Sequence, residues 1–206
     1  MGFYGEHVLP RLMDKACGTP QGDVHRERAC AGLAGEVVEI GFGSGHNLRF
    51  YPSTVRSVAV IEPSDLAWRL AAPRIAASPV PVHRAGLDAQ SVPLPDDSAD
   101  AVLSTWTMCT IPDLDAALSE LRRVLRPGGR LHLLEHGLAP DESVRRWQRR
   151  VEPLHQRLAG GCHLTRRIPE QVEAAGFDTR ALDTFYEEGT PKILGADSLG
   201  VFVNPG

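Results

Sequence analysis

The residues able to do chemistry gather around a glycine turn. Gly41, Gly43 and Gly45 recur at every second position directly after the β-branched run Val37, Val38 and Ile40. Glycine has no Cβ, so the backbone can take positive φ and a ligand can approach it closely. The spacing is G-x-G-x-G, not the G-x-G-x-x-G of a dinucleotide-binding turn, and no basic residue stands in the loop to meet a pyrophosphate. Glu39 puts a carboxylate at the end of the run, where a phosphate is repelled and an ammonium is welcome. The loop therefore suits a nucleoside with a cationic tail. Glu62-Pro63 follows about 20 positions on, at the tip of the next apolar run, where an acidic side chain can accept from both ribose hydroxyls. Asp88 is placed to accept from a ring amino group, with Leu87 or Ala89 covering the ring.

A second group of residues follows the later strands. Ser104 ends the apolar run 101–104, and Trp106 and Cys109 stand just beyond it. In an open α/β sheet, ligands bind outside the carboxyl ends of the strands, so these residues are candidates for the pocket wall. The face of Trp106 would attract a cation. His136, after the strand 130–134, is the first candidate for a base and His163 the second. Cys162 could line an acceptor pocket, with no covalent role. The four cysteines (Cys17, Cys30, Cys109 and Cys162) include no C-x-x-C pair, so neither a disulfide scaffold nor a metal site is expected.

These residues need elements to position them. Residues 1–34 read as one or two helices broken at Gly18-Thr19-Pro20, with Val8, Leu9, Leu12 and Met13 as an apolar stripe able to form a lid. After the glycine turn a short helix begins near His46 or Asn47 and ends at Pro52. Strands are expected at 55–61, at 80–83 near a sheet edge because of Pro81, at 101–104 and at 130–134, with two more after Gly176. A helix over 65–77 stops around Pro73 or Pro79. The clearest helix starts at the N-cap Asp113, carries Leu114, Ala117, Leu118, Leu121, Val124 and Leu125 on one face, and stops at Pro127-Gly128-Gly129. A long helix over 141–158 carries Val144, Trp147, Val151, Leu154 and Leu158, with Pro153 as a kink.

Strands alternating with helices predict an α/β fold. A chain of 206 residues fits one domain: an N-terminal helical cap (1–34), a cofactor-binding core (35–136) and a substrate-side part (137–206). The net charge of -4 gives no reason to expect nucleic acid. No stretch is apolar enough to span a bilayer, and a reduced, cytoplasmic protein is expected, as a monomer or homodimer. Lys15 and Lys192 are the only lysines beside many arginines, which points to a GC-rich, bacterial coding sequence.

The segment 38–45 resembles motif I of class I S-adenosylmethionine-dependent methyltransferases, Glu62 resembles their ribose ligand, and 125–131 resembles the signature before their fifth strand. The resemblance implies a Rossmann-like, mostly parallel seven-stranded sheet with helices on both faces. It also implies S-adenosyl-L-methionine as cofactor and methyl transfer to a small-molecule acceptor by in-line displacement. Residues 47–52, Cys109, Glu135-His136 and 161–166 are similar to the methyltransferase-like group whose animal members methylate alkyl thiols, although that group often has Asn where His163 stands. The cofactor contacts it implies are Glu39, Gly41, Gly43, Gly45, Asn47, Glu62, Pro63, Asp88, Ala89, Ser104 and Trp106. The acceptor side falls to Trp106, His136 and His163. Two other outcomes stand beside a thiol acceptor: O-, N- or C-methylation of a phenolic or quinone-type metabolite, and cofactor binding without chemistry.

Overall fold

The β-branched run becomes strand β1 (Gly35–Ile40), in which Val37, Val38 and Ile40 are at most 2% exposed. A strand apolar at consecutive residues must be covered on both faces. The computed structural model describes residues 2–206 and does this with a seven-stranded sheet in the order β3-β2-β1-β4-β5-β7-β6. Here β2 is Val55–Ile61, β3 Val82–Gly86, β4 Ala99–Thr105, β5 Leu125–His136, β6 Asp178–Tyr186 and β7 Ala196–Val203. Strands β1 to β5 pair in parallel, while β7 runs antiparallel to both β5 and β6.

The helices are α1 (Leu9–Ala16), α2 (Pro20–Cys30), α3 (Asp65–Ala76), α4 (Leu114–Val124), α5 (Glu142–Leu158) and α6 (Ile168–Ala174). Helices α4 and α6 cover one sheet face, where Leu118, Leu121 and Val172 pack with Val38, Ile40 and Leu133. Helices α2 and α3 cover the other, where Ala29, Cys30 and Ala71 pack with Val37, Leu103 and Leu134. The apolar face expected of α4 is buried in full, at about 2 kcal/mol for each leucine. Its N-cap Asp113 accepts from the Ala116 amide at 3.0 Å.

Several local expectations change. A single π-helical turn (Tyr4–Val8) leads into α1, and the stripe on α1 is not covered: Leu12 and Met13 are 47% and 41% exposed. The stretch after the glycine turn reaches only a short 3-10 helix (Leu48–Phe50) before Pro52. Helix α3 passes through Pro73 to Ala76, held by the buried Leu66, Ala67 and Ala71. The largest change is in α5: Trp147, Leu154 and Leu158 face outward, and the buried residue is Gln148. Gln148 is inside because its amide is satisfied, bonding Ala139 N, Gly137 O and Ile193 O. Helical spacing located the stripe but did not say which way it faces.

Strand β7 is inserted between β5 and β6 and is followed by Asn204, which binds the start of β5. Its Nδ2 donates to Leu125 O at 2.9 Å, and its backbone N donates to Gly129 O at 2.9 Å. No helix among the described residues is long and apolar enough to cross a membrane.

Candidate active site

The glycine turn leaves β1 with φ +64° at Gly41, +58° at Gly43 and +80° at Gly45. A Cβ on Gly41 would lie 2.0 Å from Thr107 Oγ1, so only glycine lets the turn pass the loop after β4. A Cβ on Gly43 would meet nothing nearer than Gly41 O at 4.0 Å. Open space therefore lies above Gly43, where a ligand can approach the backbone.

Glu39 lies beneath the turn with no exposed surface. Its Oε1 accepts from Asn47 Nδ2 at 2.8 Å, whereas Oε2 is buried with no partner. Burial raises its pKa to about 8, against the lowering influence of Asn47 and Arg26. A buried carboxylate with one idle oxygen is a strong acceptor for a cationic donor. At the tip of β2, Glu62 is 5% exposed: Oε2 accepts from Gly43 N at 2.7 Å and Oε1 from Ser64 N at 2.7 Å. Each oxygen retains a second lone pair for a hydroxyl donor. Burial also pushes the pKa of Glu62 up.

The other expected cofactor residues are placed unevenly. Asn47 is 1% exposed and fully engaged: besides Glu39 it donates to Thr105 Oγ1 at 3.0 Å and accepts from Arg26 Nη1 at 2.6 Å. It orients Glu39 rather than facing open space. Ser104 is also fully buried, and its hydroxyl donates to Glu135 Oε1 at 2.5 Å. Pro63 and Asp88 are exposed and Ala89 is half-buried. Asp88 Oδ1 accepts from Gln90 N at 2.9 Å, closing a local turn.

Trp106 sits at the end of β4 with φ +50°, a left-handed conformation that costs a non-glycine residue about 1–2 kcal/mol. Its amide donates to Leu134 O at 2.7 Å, and the next amide, Thr107 N, reaches both oxygens of Glu135. Glu135 is thus the bracket for this loop. Burial raises its pKa to about 7. The indole Nε1 faces Asp197 Oδ1 at 3.4 Å, and the Arg26 guanidinium lies 4.7 Å from the ring centroid.

Arg26 was not singled out in the sequence. It lies on α2, which shows no amphipathic stripe, yet it is 5% exposed and joins Asn47, Thr105 and Trp106. Its Nε is buried without a partner, and burial lowers its pKa. Asp14 on α1 completes this wall, accepting from Ser44 Oγ at 2.5 Å and pairing with His46 Nε2 at 3.1 Å. The N-terminal helices therefore lie directly over the glycine turn.

On the far side, the structure brings His136 to Cys162, not to His163. Cys162 Sγ and His136 Nε2 are 2.8 Å apart, and Cys109 stands beside them. Hydrogen bonding from Cys109 pulls the Cys162 thiol well below the usual thiol range, with His136 acting the same way, while the Cys109 thiol is pushed up. Burial opposes protonation of His136, but Cys162 holds its pKa above the ordinary value. His163 turns away: its Nδ1 meets Gln156 Nε2 at 2.8 Å, and its amide donates to Cys109 O at 2.9 Å. Arg166 braces the same loop through Met108 O and Ile111 O at 2.6 and 2.7 Å. His136 and Glu135 also border a cavity of about 370 Å³ with Arg145, Arg166 and Arg167 on its wall.

A positive-φ glycine turn after β1, an acid under it and an acid at the tip of β2 thus stand together at one edge of the sheet. The methyltransferase domain profile matches residues 38–133. Thiol S-methyltransferase TMT1B of Rattus norvegicus is 32% identical over 158 residues, covering 74% of this chain and 64% of that protein. The chain belongs to the S-adenosylmethionine-dependent methyltransferase family. The match spans a little under two thirds of the rat protein's length. Ubiquinone/menaquinone biosynthesis C-methyltransferase UbiE of Caulobacter vibrioides is 35% identical over 111 residues, 44% of this chain and 43% of that one. Among solved structures, a candidate methyltransferase of Bacillus halodurans C-125 superposes with a TM-score of 0.72 at 16% identity, covering 89% of this chain and 99% of that one. The [4+2]-cyclase SpnF superposes at 0.68 and 19% identity, covering 93% and 82%. At these identities the structures bear on the fold alone.

Proposed function

We propose that this chain transfers a methyl group from S-adenosyl-L-methionine to a small molecule through a thiol or similarly soft atom. The observation that carries the cofactor half is Glu39 Oε2, buried and unpartnered beneath an open glycine turn. When bound, S-adenosyl-L-methionine supplies an electrophilic methyl group on a sulfonium. Glu39 would bind the ammonium end, the open space above Gly43 would let the chain of the amino acid lie close to the backbone, and Glu62 would take the ribose hydroxyls. Asp88, Ala89 and Pro63 edge the adenine, while Asn47 and Ser104 act one step back by orienting Glu39 and Glu135.

The acceptor side is Trp106, His136 and the Cys162 loop. Trp106 has one ring face taken by Arg26, so it limits the pocket and excludes water more than it cradles a second cation. His136 acts through its contact with Cys162, and His163 holds that loop against α5. A soft acceptor is supported by the named activity of the rat relative and by the His136 imidazole on the cavity wall, with the buried Cys162 behind it. Orientation is the main service needed, since aligned reactants gain about 7–11 kcal/mol over free encounter.

The test has two stages. Calorimetry of the purified chain should show binding of S-adenosyl-L-methionine or its demethylated product, and no binding would end every methyltransferase reading. A labelled-methyl assay against thiols, hydrogen sulfide, phenols, quinols and amines should then favour the thiols. Turnover of quinols alone would move the acceptor to carbon or oxygen. Binding with no turnover in any arm would leave a cofactor-binding protein without methyl transfer.

A further inference from the structure

We propose that Cys109, His136 and Cys162 form a binding site for a zinc-class cation. Their ligand atoms, two sulfurs and one imidazole nitrogen, all lie within 4.8 Å of one another. Zinc takes sulfur at about 2.3 Å and nitrogen at about 2.0–2.1 Å, so tetrahedral ligands stand roughly 3.5–3.8 Å apart. The Cys162 Sγ to His136 Nε2 separation, at 2.8 Å, has to open, and the cluster, whose ligand atoms span up to 4.8 Å, has to draw in by about 1 Å at its widest.

The surroundings fit the role. Cys109 and Cys162 are 1% and 4% exposed, and two thiolates beside a divalent cation add no net charge to that interior. Soft sulfur with imidazole selects zinc over the harder magnesium or calcium. Metal-bound histidines usually give their other N–H to a carboxylate. Asp197 is paired with His136 across the β5–β7 ladder, and its Oδ2 is buried without a partner. His155 of α5 hydrogen-bonds Cys162, and its ring centroid lies 6.5 Å from that of His136, so a fourth donor stands beside the cluster. The ligands come from the loop after β4, the end of β5 and the loop after α5. A cation there would tie together three segments that share no element. The sequence concealed the site because its ligands are far apart and no C-x-x-C marks it.

The full chain, reduced and stripped with chelator, should take up one zinc per chain and keep it through desalting, measured by elemental analysis. Cobalt(II) in its place should give intense thiolate-to-metal absorption in the near ultraviolet. Competition with a chromophoric chelator should show His136→Gln and Cys162→Ser weakening zinc at least 100-fold. Asp197→Asn should weaken it roughly 10–100-fold through loss of the outer partner. Circular dichroism of each variant separates loss of ligand from loss of fold. No uptake by the reduced wild-type chain, uptake unchanged in a Cys109→Ser/Cys162→Ser double variant, or a Cys109–Cys162 disulfide with no uptake after reduction would each overturn the site. None of these readings depends on methyl transfer.

Discussion

Glu39 and Glu62 look alike in sequence but respond differently to charge. Glu39, held near 8 by burial, is mostly protonated at neutral pH in the ligand-free chain, whereas an ammonium needs it ionised. Cofactor affinity should therefore rise between pH 6 and about 8 when followed by calorimetry, and a flat profile would count against Glu39 as the ammonium partner. The same raised pKa means that Glu39 favours the folded chain most below its unfolded value of about 4.3 and loses that contribution as pH climbs through 8. Glu39→Gln should thus raise the melting temperature of the ligand-free chain at pH 8 while weakening cofactor binding. Glu62→Ala should weaken the cofactor by about 10–150-fold, the range for losing hydrogen bonds to a charged acceptor, and also destabilise the turn by freeing the Gly43 and Ser64 amides. The two glycines separate fold from function. Gly41→Ala meets Thr107 and should cost folding about 1–3 kcal/mol beyond the positive-φ strain, whereas Gly43→Ala enters open space, carries that strain alone at about 1–2 kcal/mol, and should also lose binding. A Gly43→Ala chain that still binds normally would misplace the cofactor.

At the scale of elements, the N-terminal helices are tied to the glycine turn by a few polar contacts. Asp14 bonds Ser44 and His46, and Arg26 bonds Asn47 and Thr105. These ties are local, and few apolar contacts accompany α1, the pattern of a segment that opens below the global unfolding energy. Asp14→Ala should increase hydrogen exchange across residues 9–16 without lowering protection in β1 or β4; equal loss everywhere would deny the helix a lid role. Elements were legible where their signals were local. Strand β2, the cap Asp113 and the face of α4 depend on neighbouring residues, and they formed where spacing placed them. The glycine turn and Glu62 were legible for the same reason. Arg26, the inward Gln148 and the meeting of Cys109 with Cys162 were not, because each depends on partners distant in the chain. A helical stripe such as that of α5 says only that one side differs from the other.

For the whole molecule, the sheet edge that carries Glu39, Glu62, Trp106 and His136 gathers the ends of β1, β2, β4 and β5 in one place. A ligand there binds the folded chain and not the unfolded one. At 100 times its dissociation constant it should add about 2.7 kcal/mol of stability. For a chain of this size that is a rise of roughly 5–11 °C in melting temperature, readable by calorimetry. No rise with S-adenosyl-L-methionine at that excess would contradict the calorimetric binding expected above.

The insertion of β7 between β5 and β6 also governs how the chain is made. On a ribosome, β5 emerges with one edge unpaired, and no later strand can satisfy it until residues 196–203 have left the exit tunnel. Through that interval the nascent chain exposes an apolar strand edge of the kind that recruits chaperones or pairs with a neighbouring chain. Release of the C-terminal strand is therefore the event that closes the sheet, and ribosome stalling before it should leave a protease-sensitive species.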